Sequence, residues 1–259
     1  MTTLVAHSGY LTTRALRALL RQPIYIAFTL IQPIIWLLLF GSLFSKIVEL
    51  PGFGGASYLD YLTPGVVVMT ALFASAWSGF GFIQDMERGV MDRMLISPVN
   101  RGAMITGALA NQAVTTAVQT VIIFGIGLAA GARFDGGIVG VLVTMVAAVL
   151  LAVAFAAFSN ALALLLRTQE ALIGVANFLT LPLSFLSSAI MATALAPDWI
   201  QQVAKFNPVD WAATASRMAL LSADPDWAGV FGRLGGLLVV AIVLGWLATR
   251  AFRTYQRSA

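Results

Sequence analysis

The chain has 259 residues, of which 59% are hydrophobic and only 10% charged, with a formal net charge of +4. A soluble domain carries about 25% charged residues, so this composition excludes a water-covered surface and leaves an apolar surplus that must face lipid. Zero cysteines and a single histidine, His7, exclude disulfides, thiolate or histidine-cluster metal sites and any Ser/His or Cys/His pair within the apolar region.

Residues 1–22 come first. Leu11, Ala15 and Leu19, with Leu16 and Leu20, recur at helical spacing while Arg14, Arg17 and Arg21 take another face, the pattern of a basic helix lying in the membrane interface. A solvated, frayed terminus that merely obeys the charge rule is the alternative. The apolar run beyond Arg21 is too long for a signal-peptide core and no small-residue cleavage site follows it, so the first span is expected to be retained.

A hydrocarbon core of about 30 Å needs about 20 apolar residues to cross it. Six stretches qualify, at 24–44, 62–83, 104–130, 138–166, 171–193 and 230–250. The expected fold is therefore an all-α membrane protein of six transmembrane helices, forming one domain over 1–259. Arg133 to Gly137 breaks the third span from the fourth, and Arg167-Thr168-Gln169-Glu170 splits the fourth from the fifth, so both pairs are antiparallel neighbours. With both termini cytoplasmic, the inside set of basic residues is Arg14, Arg17, Arg21, Arg88, Arg93, Arg101, Arg167, Arg250, Arg253 and Arg257, against Lys46, Arg133, Lys205, Arg217 and Arg233 outside. The excess inside fits the positive-inside bias. Basic residues at span ends, and not clustered among aromatics, also argue against a nucleic-acid surface.

Segment 84–103 concentrates six charged residues, Asp85, Glu87, Arg88, Asp92, Arg93 and Arg101, in a cytoplasmic loop. Met86, Val90 and Met94 recur every four residues, predicting a short amphipathic helix that ends near Ser97-Pro98. Spacing alone leaves a docking helix and a solvated linker folded back on the membrane equally open.

Residues 194–229 form the longest outer connection. Trp199, Ile200, Val203, Ala204 and Phe206 lie at helical spacing, Asn207-Pro208 breaks the run, and Trp211, Ala215 and Met218 begin a second helix. The expectation is a pair of short re-entrant helices dipping into the outer leaflet, with Trp199, Trp211 and Trp227 at headgroup level. Backbone at that depth must be helical or packed against other spans.

Neither lysine, Lys46 nor Lys205, follows a glycine, so no phosphate-cradling loop exists in this chain. No expected span has an acid at its middle, which argues against proton or sodium coupling. The neutral polar residues Gln32, Gln112, Thr116, Gln119, Asn160, Asn177 and Thr180 are read first as interhelical hydrogen-bonding groups. Small-xxx-small spacings at Gly127/Gly131, Gly136/Gly140 and Gly232/Gly236 permit close helix approach, but among 23 glycines chance matches are expected. What remains is passive conduction, or energy supplied by another subunit.

The run S-Y-L-D-Y-L-T-P-G-V-V-V-M from Ser57, followed by Q-D-M-E-R-G-V-M-D-R-M-L-I-S-P-V-N-R-G from Gln84, resembles the permeases of ABC-2 type transporters, especially the daunorubicin-resistance branch of bacterial drug exporters. The resemblance extends to Pro33-Ile34-Ile35-Trp36 and to Asn207-Pro208-Val209-Asp210, and covers nearly the whole chain. It implies a half-transporter of the bacterial inner membrane that dimerises and docks two copies of a soluble ABC ATPase. This chain would then hold no cofactor, with ATP and Mg on the ATPase. Asp85, Glu87, Arg88, Gly89, Asp92, Arg93, Pro98 and Arg101 would belong to the coupling helix. An amphiphilic drug or lipid-like substrate would pass between the first, second and fifth spans, near Gln32, Trp36, Phe73, Trp77, Asn177, Phe178 and Phe185. Export of a polysaccharide or lipid-linked glycan is a second reading, and a non-transporting membrane anchor or assembly factor a third.

Overall fold

The computed structural model describes residues 30–44, 57–91, 93, 101–190 and 196–258. The expected interfacial helix at 1–22, with Arg14, Arg17 and Arg21, lies outside the described residues, as does the start of the first span. Among the described residues there is no strand. The helices are α1 (Leu30–Leu43), α2 (Tyr58–Ala76), α3 (Phe80–Glu87), α4 (Arg101–Ala129), α5 (Gly137–Leu166), α6 (Gln169–Phe185), α7 (Asp198–Ala204), α8 (Pro208–Leu220) and α9 (Trp227–Ser258).

Among the described residues four helical stretches are long and apolar enough to cross a membrane: Tyr58–Glu87, Met104–Ala129, Gly137–Leu166 and Trp227–Tyr255. The outward faces of these helices carry large apolar side chains such as Val121, Ile138, Val239 and Ile242, all more than half exposed. Such a surface suits the apolar interior of a membrane.

The central helix is α5, which packs against α2, α4, α8 and α9. Its sequence explains the role. Alanines and small residues, including Gly140, Thr144, Ala147, Ala148, Ala152 and Ala156, are buried along it and let neighbouring backbones approach closely, which is how helices associate where lipid removes the hydrophobic drive. The helix stops at Arg167, whose left-handed φ of 59° turns the chain while its amide bonds to Ala163 O at 3.0 Å.

Of the three small-xxx-small pairs, Gly136/Gly140 is a real close contact. The Gly136 amide bonds to Leu220 O at 2.9 Å, and a Cβ at Gly136 would collide with the Ala219 carbonyl oxygen at the end of α8. Gly136→Ala is expected to lower stability by about 1–3 kcal/mol, the usual cost of overpacking, read as a fall in unfolding temperature in detergent micelles. Gly131→Ala is no match for comparison, since Gly131 has φ +97°; Gly232→Ala, where a Cβ meets nothing within 4 Å, is the control that should unfold like the parent.

Three elements differ from the sequence expectations. The stretch expected as one span at 62–83 starts at Tyr58 and is broken by a turn at Trp77-Ser78-Gly79. Ser159 of α5 makes the break possible, donating to Ala76 O at 2.6 Å and accepting from the Gly79 amide at 3.0 Å. The span expected at 171–193 is helical only through Phe185, a 17-residue helix with Pro182 near its end, and Leu186–Ile190 run on without helical structure. At 1.5 Å per residue α6 is about 25 Å long, close to the minimum for crossing. Lastly, the single amphipathic helix expected through Met86, Val90 and Met94 is interrupted, because Gly89 adopts φ +65°. The Arg88 and Gly89 amides close onto Gln84 O and Met86 O, each at 3.0 Å, and helical backbone resumes at Val90. In the connection between α6 and α9, α7 and α8 are the two expected short helices, with Asn207 as the N-cap of α8.

Candidate functional site

Two clusters of polar side chains sit at opposite ends of the bundle. The first is the elbow after α3. Asp85 is half-buried, whereas Glu87 and Arg88 are exposed at the end of the helix. Gln169, the first residue of α6, donates its Nε2 to both Glu87 carboxylate oxygens, at 3.0 and 3.1 Å. Past Gly89, Met91 is fully buried in an apolar cluster with Phe82, Ile83, Leu164, Leu172, Phe252 and Tyr255. The elbow is thus anchored on α5, α6 and α9 before the chain moves on. The Arg167 guanidinium lies 4.8 Å over the Tyr255 ring in the same region, a cation–π contact that ties the α5 terminus to α9. Arg93 is exposed and Arg101 opens α4. Asp92 and Pro98 lie outside the described residues.

The second cluster is a knot around the non-helical residues Leu186–Ile190. A buried carbonyl left without a donor costs about 1–3 kcal/mol, and here side chains of α2 and of the α8 region supply the donors. From α2, Tyr58 Oη donates to Ile190 O at 3.2 Å and Tyr61 Oη to Ser188 O at 3.1 Å. Beside α8, Asn207 Nδ2 donates to Leu183 O and Leu186 O, at 2.7 and 2.8 Å, and Asp210 accepts from the Ser188 amide at 2.8 Å. Arg217 completes the set. Its Nη2 donates to Ala189 O at 2.7 Å, its Nε to Tyr61 O at 3.1 Å, and its carbon centre sits 3.6 Å over the Tyr61 ring. Burial draws this guanidinium below its ordinary pKa, opposed by Tyr61 and Asp210, and it stays a cation at any pH the protein meets.

An aromatic ladder runs from α1 into the knot, with ring centroids 5.4 Å apart for Trp36–Phe40, 5.6 Å for Phe40–Phe44, 5.8 Å for Phe44–Tyr58 and 6.5 Å for Tyr58–Tyr61. Of the residues expected along a substrate path, Trp36 and Phe73 pack against one buried cluster. Trp77 stacks on Phe80 at 5.4 Å beside the helix break. Gln32 is exposed on α1 and Asn177 half-buried on α6. Phe178 and Phe185 are 77% and 71% exposed and share one face of α6 with Gly174 and Leu181. The path set thus divides into Trp36 and Phe73, packed on a buried cluster, an outward aromatic face on α6, and Gln32, which is exposed on α1.

Sequence reasoning placed Arg217 among loop cations and missed its burial. A signal was present, because Val209, Ala212, Ala213, Ser216, Arg217 and Leu220 form one helical stripe, and all are buried. Arg217 falls on the apolar face, where a cation needs partners. Among the described residues no group of three or more His, Cys, Asp or Glu is placed to hold a metal ion.

Residues 8–221 match the ABC-2 type transporter family. The chain is 31% identical over 218 residues to the ycf38 transport-permease protein of Cyanophora paradoxa, covering 84% of this chain and 74% of that one. It is 29% identical over 220 residues to the daunorubicin resistance ABC transporter permease protein DrrB1 of Streptomyces coeruleorubidus, covering 83% and 75%. A Mycobacterium tuberculosis permease named for doxorubicin resistance, DrrC, is 23% identical over 213 residues, covering 82% and 76%.

Proposed function

Because the chain belongs to the ABC-2 type transporter family, we propose that it is the membrane-spanning permease of an exporter driven by a separate ATPase, moving an amphiphilic drug or lipid-like substrate. The observation that carries this reading is the family match over 8–221, which takes in every described helix except α9. The drug class rests on what two of the similar proteins are named for. The exposed phenylalanines of α6 suit such a substrate, since aromatic faces bind apolar and cationic groups without fixing one orientation.

In this reading α1, α2 with α3, α4, α5, α6 and α9 make six spans. The elbow end, with Arg88, Arg93, Arg167, Arg250 and Arg253, faces the cytoplasm of a bacterial cell, and both termini lie on that side. Two ATPase subunits carrying ATP and Mg meet the segment beyond Gly89. Two protomers face one another across α1, α2 and α6, so that Phe178 and Phe185 line the shared path. The knot then closes the outer end.

The test is reconstitution. Co-expressed with a soluble ABC ATPase and placed in lipid vesicles, the chain should give ATP turnover that daunorubicin raises, with daunorubicin moved across the bilayer. Turnover indifferent to the permease would sink the proposal.

A further inference from the structure

Helix α6 is tied to the broken helix α2–α3 at both ends. At the elbow end the tie is Gln169 to the Glu87 carboxylate, at 3.0 and 3.1 Å. Tyr58 and Tyr61 make the other, holding the carbonyls of Ile190 and Ser188 just beyond the α6 terminus. Between the ties the contact is apolar and incomplete, with a small cavity where Ala76 of α2 meets Leu172, Ala176 and Thr180 of α6 against a wall of α5 formed by Phe155, Phe158 and Leu162. Thr180 spends its hydroxyl on Ala176 O and Ser159 spends its own on Ala76 O, so no polar bond crosses the middle from these side chains. The cohesion of the pair is concentrated at its ends.

Resting on the reading that the segment beyond Gly89 meets an ATPase, we propose that α2–α3 and α6 move as one lever and that Glu87 is its inner pin. Glu87 thus serves Gln169 of its own chain and does not serve the ATPase. An amide donating to a carboxylate is a charge-assisted bond, here open to solvent and so of modest strength. The carboxylate also lies at the N-terminal end of α6, where the helix dipole favours negative charge. A displacement of the chain after Gly89 would then reach α6 through two routes, the Glu87–Gln169 bond and the packing of Met91 with Leu172. The face carrying Phe178 and Phe185 would move with it. In this role Glu87 and Gln169 are positioning residues.

Exchanging the two partners separates this proposal from direct docking. Gln169→Glu, Glu87→Gln and the double exchange are made in the full chain. Each is assembled with the ATPase subunit in lipid vesicles, and daunorubicin-stimulated ATP turnover is compared with unstimulated turnover. Gln169→Glu sets two carboxylates face to face, and should cut the stimulation about fivefold, within the range that coupling residues command. The double exchange lets the amide at 87 donate to the carboxylate at 169, and should restore stimulation to within about twofold of the parent. If it is as impaired as Glu87→Gln alone, Glu87 acts on another partner and the pin is overturned. Hydrogen exchange at the first turn of α6, measured on the permease alone in nanodiscs, is the second readout. It should quicken in Gln169→Glu and recover in the double exchange; unchanged exchange in Gln169→Glu also overturns the pin. Should the parent complex show no stimulated turnover, the transport reading fails, and the exchange measurement still decides the pin.

Discussion

Arg217→Met is expected to destabilise the protein by about 2–4 kcal/mol, the cost of leaving buried polar groups without their partner. Methionine keeps most of the apolar bulk, so the loss is not one of packing. What goes is the donor to Ala189 O at 2.7 Å, the donor to Tyr61 O at 3.1 Å and the cation over the Tyr61 ring. The Tyr61 carbonyl lies within α2, whereas Ala189 lies in the non-helical run, so the heavier penalty falls at Ala189. Gly65 packs against that carbonyl so closely that a Cβ would strike it, which leaves little room for a water to replace the guanidinium. Thermal unfolding in detergent micelles measures the effect. Arg217→Lys should recover only part of it, since a compact ammonium without the planar guanidinium fork cannot reach two carbonyls and cover a ring together. An unfolding temperature within a degree of the parent would mean that the knot holds nothing.

Gly89→Val should uncouple transport, with daunorubicin-dependent ATP turnover reduced about tenfold. A β-branched residue at φ +65° is a genuine outlier, and the left-handed conformation costs it about 1–2 kcal/mol. No atom lies within 4 Å of a Cβ built there, so the side chain itself meets no obstacle and the backbone carries the whole effect. Relief comes by letting α3 continue straight past Arg88. That path would withdraw Met91 from its place beside Ile83 and Leu172 and re-aim everything that follows. Gly89→Asn is the decisive control. Asparagine tolerates the left-handed region, so it should retain most of the turnover, and equal damage by both substitutions would refute the elbow.

Much of the architecture was legible because the apolar runs are long. The span read at 138–166 is helical from Gly137 to Leu166, since thirty residues with hardly a polar group leave no other solution at membrane depth. Two short helices in the outer connection were also legible from the Trp199 and Trp211 periodicities. The misses share one cause, which is that distant side chains decided local backbone. In residues 76–79 the Ser78-Gly79 pair is a turn signal that the long apolar run outweighed, and the groups that satisfy the break come from Ser159 on another helix. The end of α6 at Phe185 depends likewise on Asn207, Asp210 and Arg217, far along the chain. At the elbow the four-residue recurrence of Met86, Val90 and Met94 was a true apolar pattern, but one glycine with positive φ overrode it. The path residues divide the same way. Trp36 and Phe73 each pack against one buried cluster, while the outward aromatics of α6 only acquire meaning once a second surface faces them.

The Ser159 contact also sets an order of events during synthesis. A chain entering the membrane from its N-terminus delivers residues 58–87 well before α5 exists. Without Ser159, the carbonyl of Ala76 and the amide of Gly79 would lose the partner that the folded bundle gives them, so the early segment has every reason to remain one straight helix. It bends only when α5 arrives and offers its hydroxyl. The break is therefore a late maturation step, and arrested chains ending before α5 should carry this segment unbent.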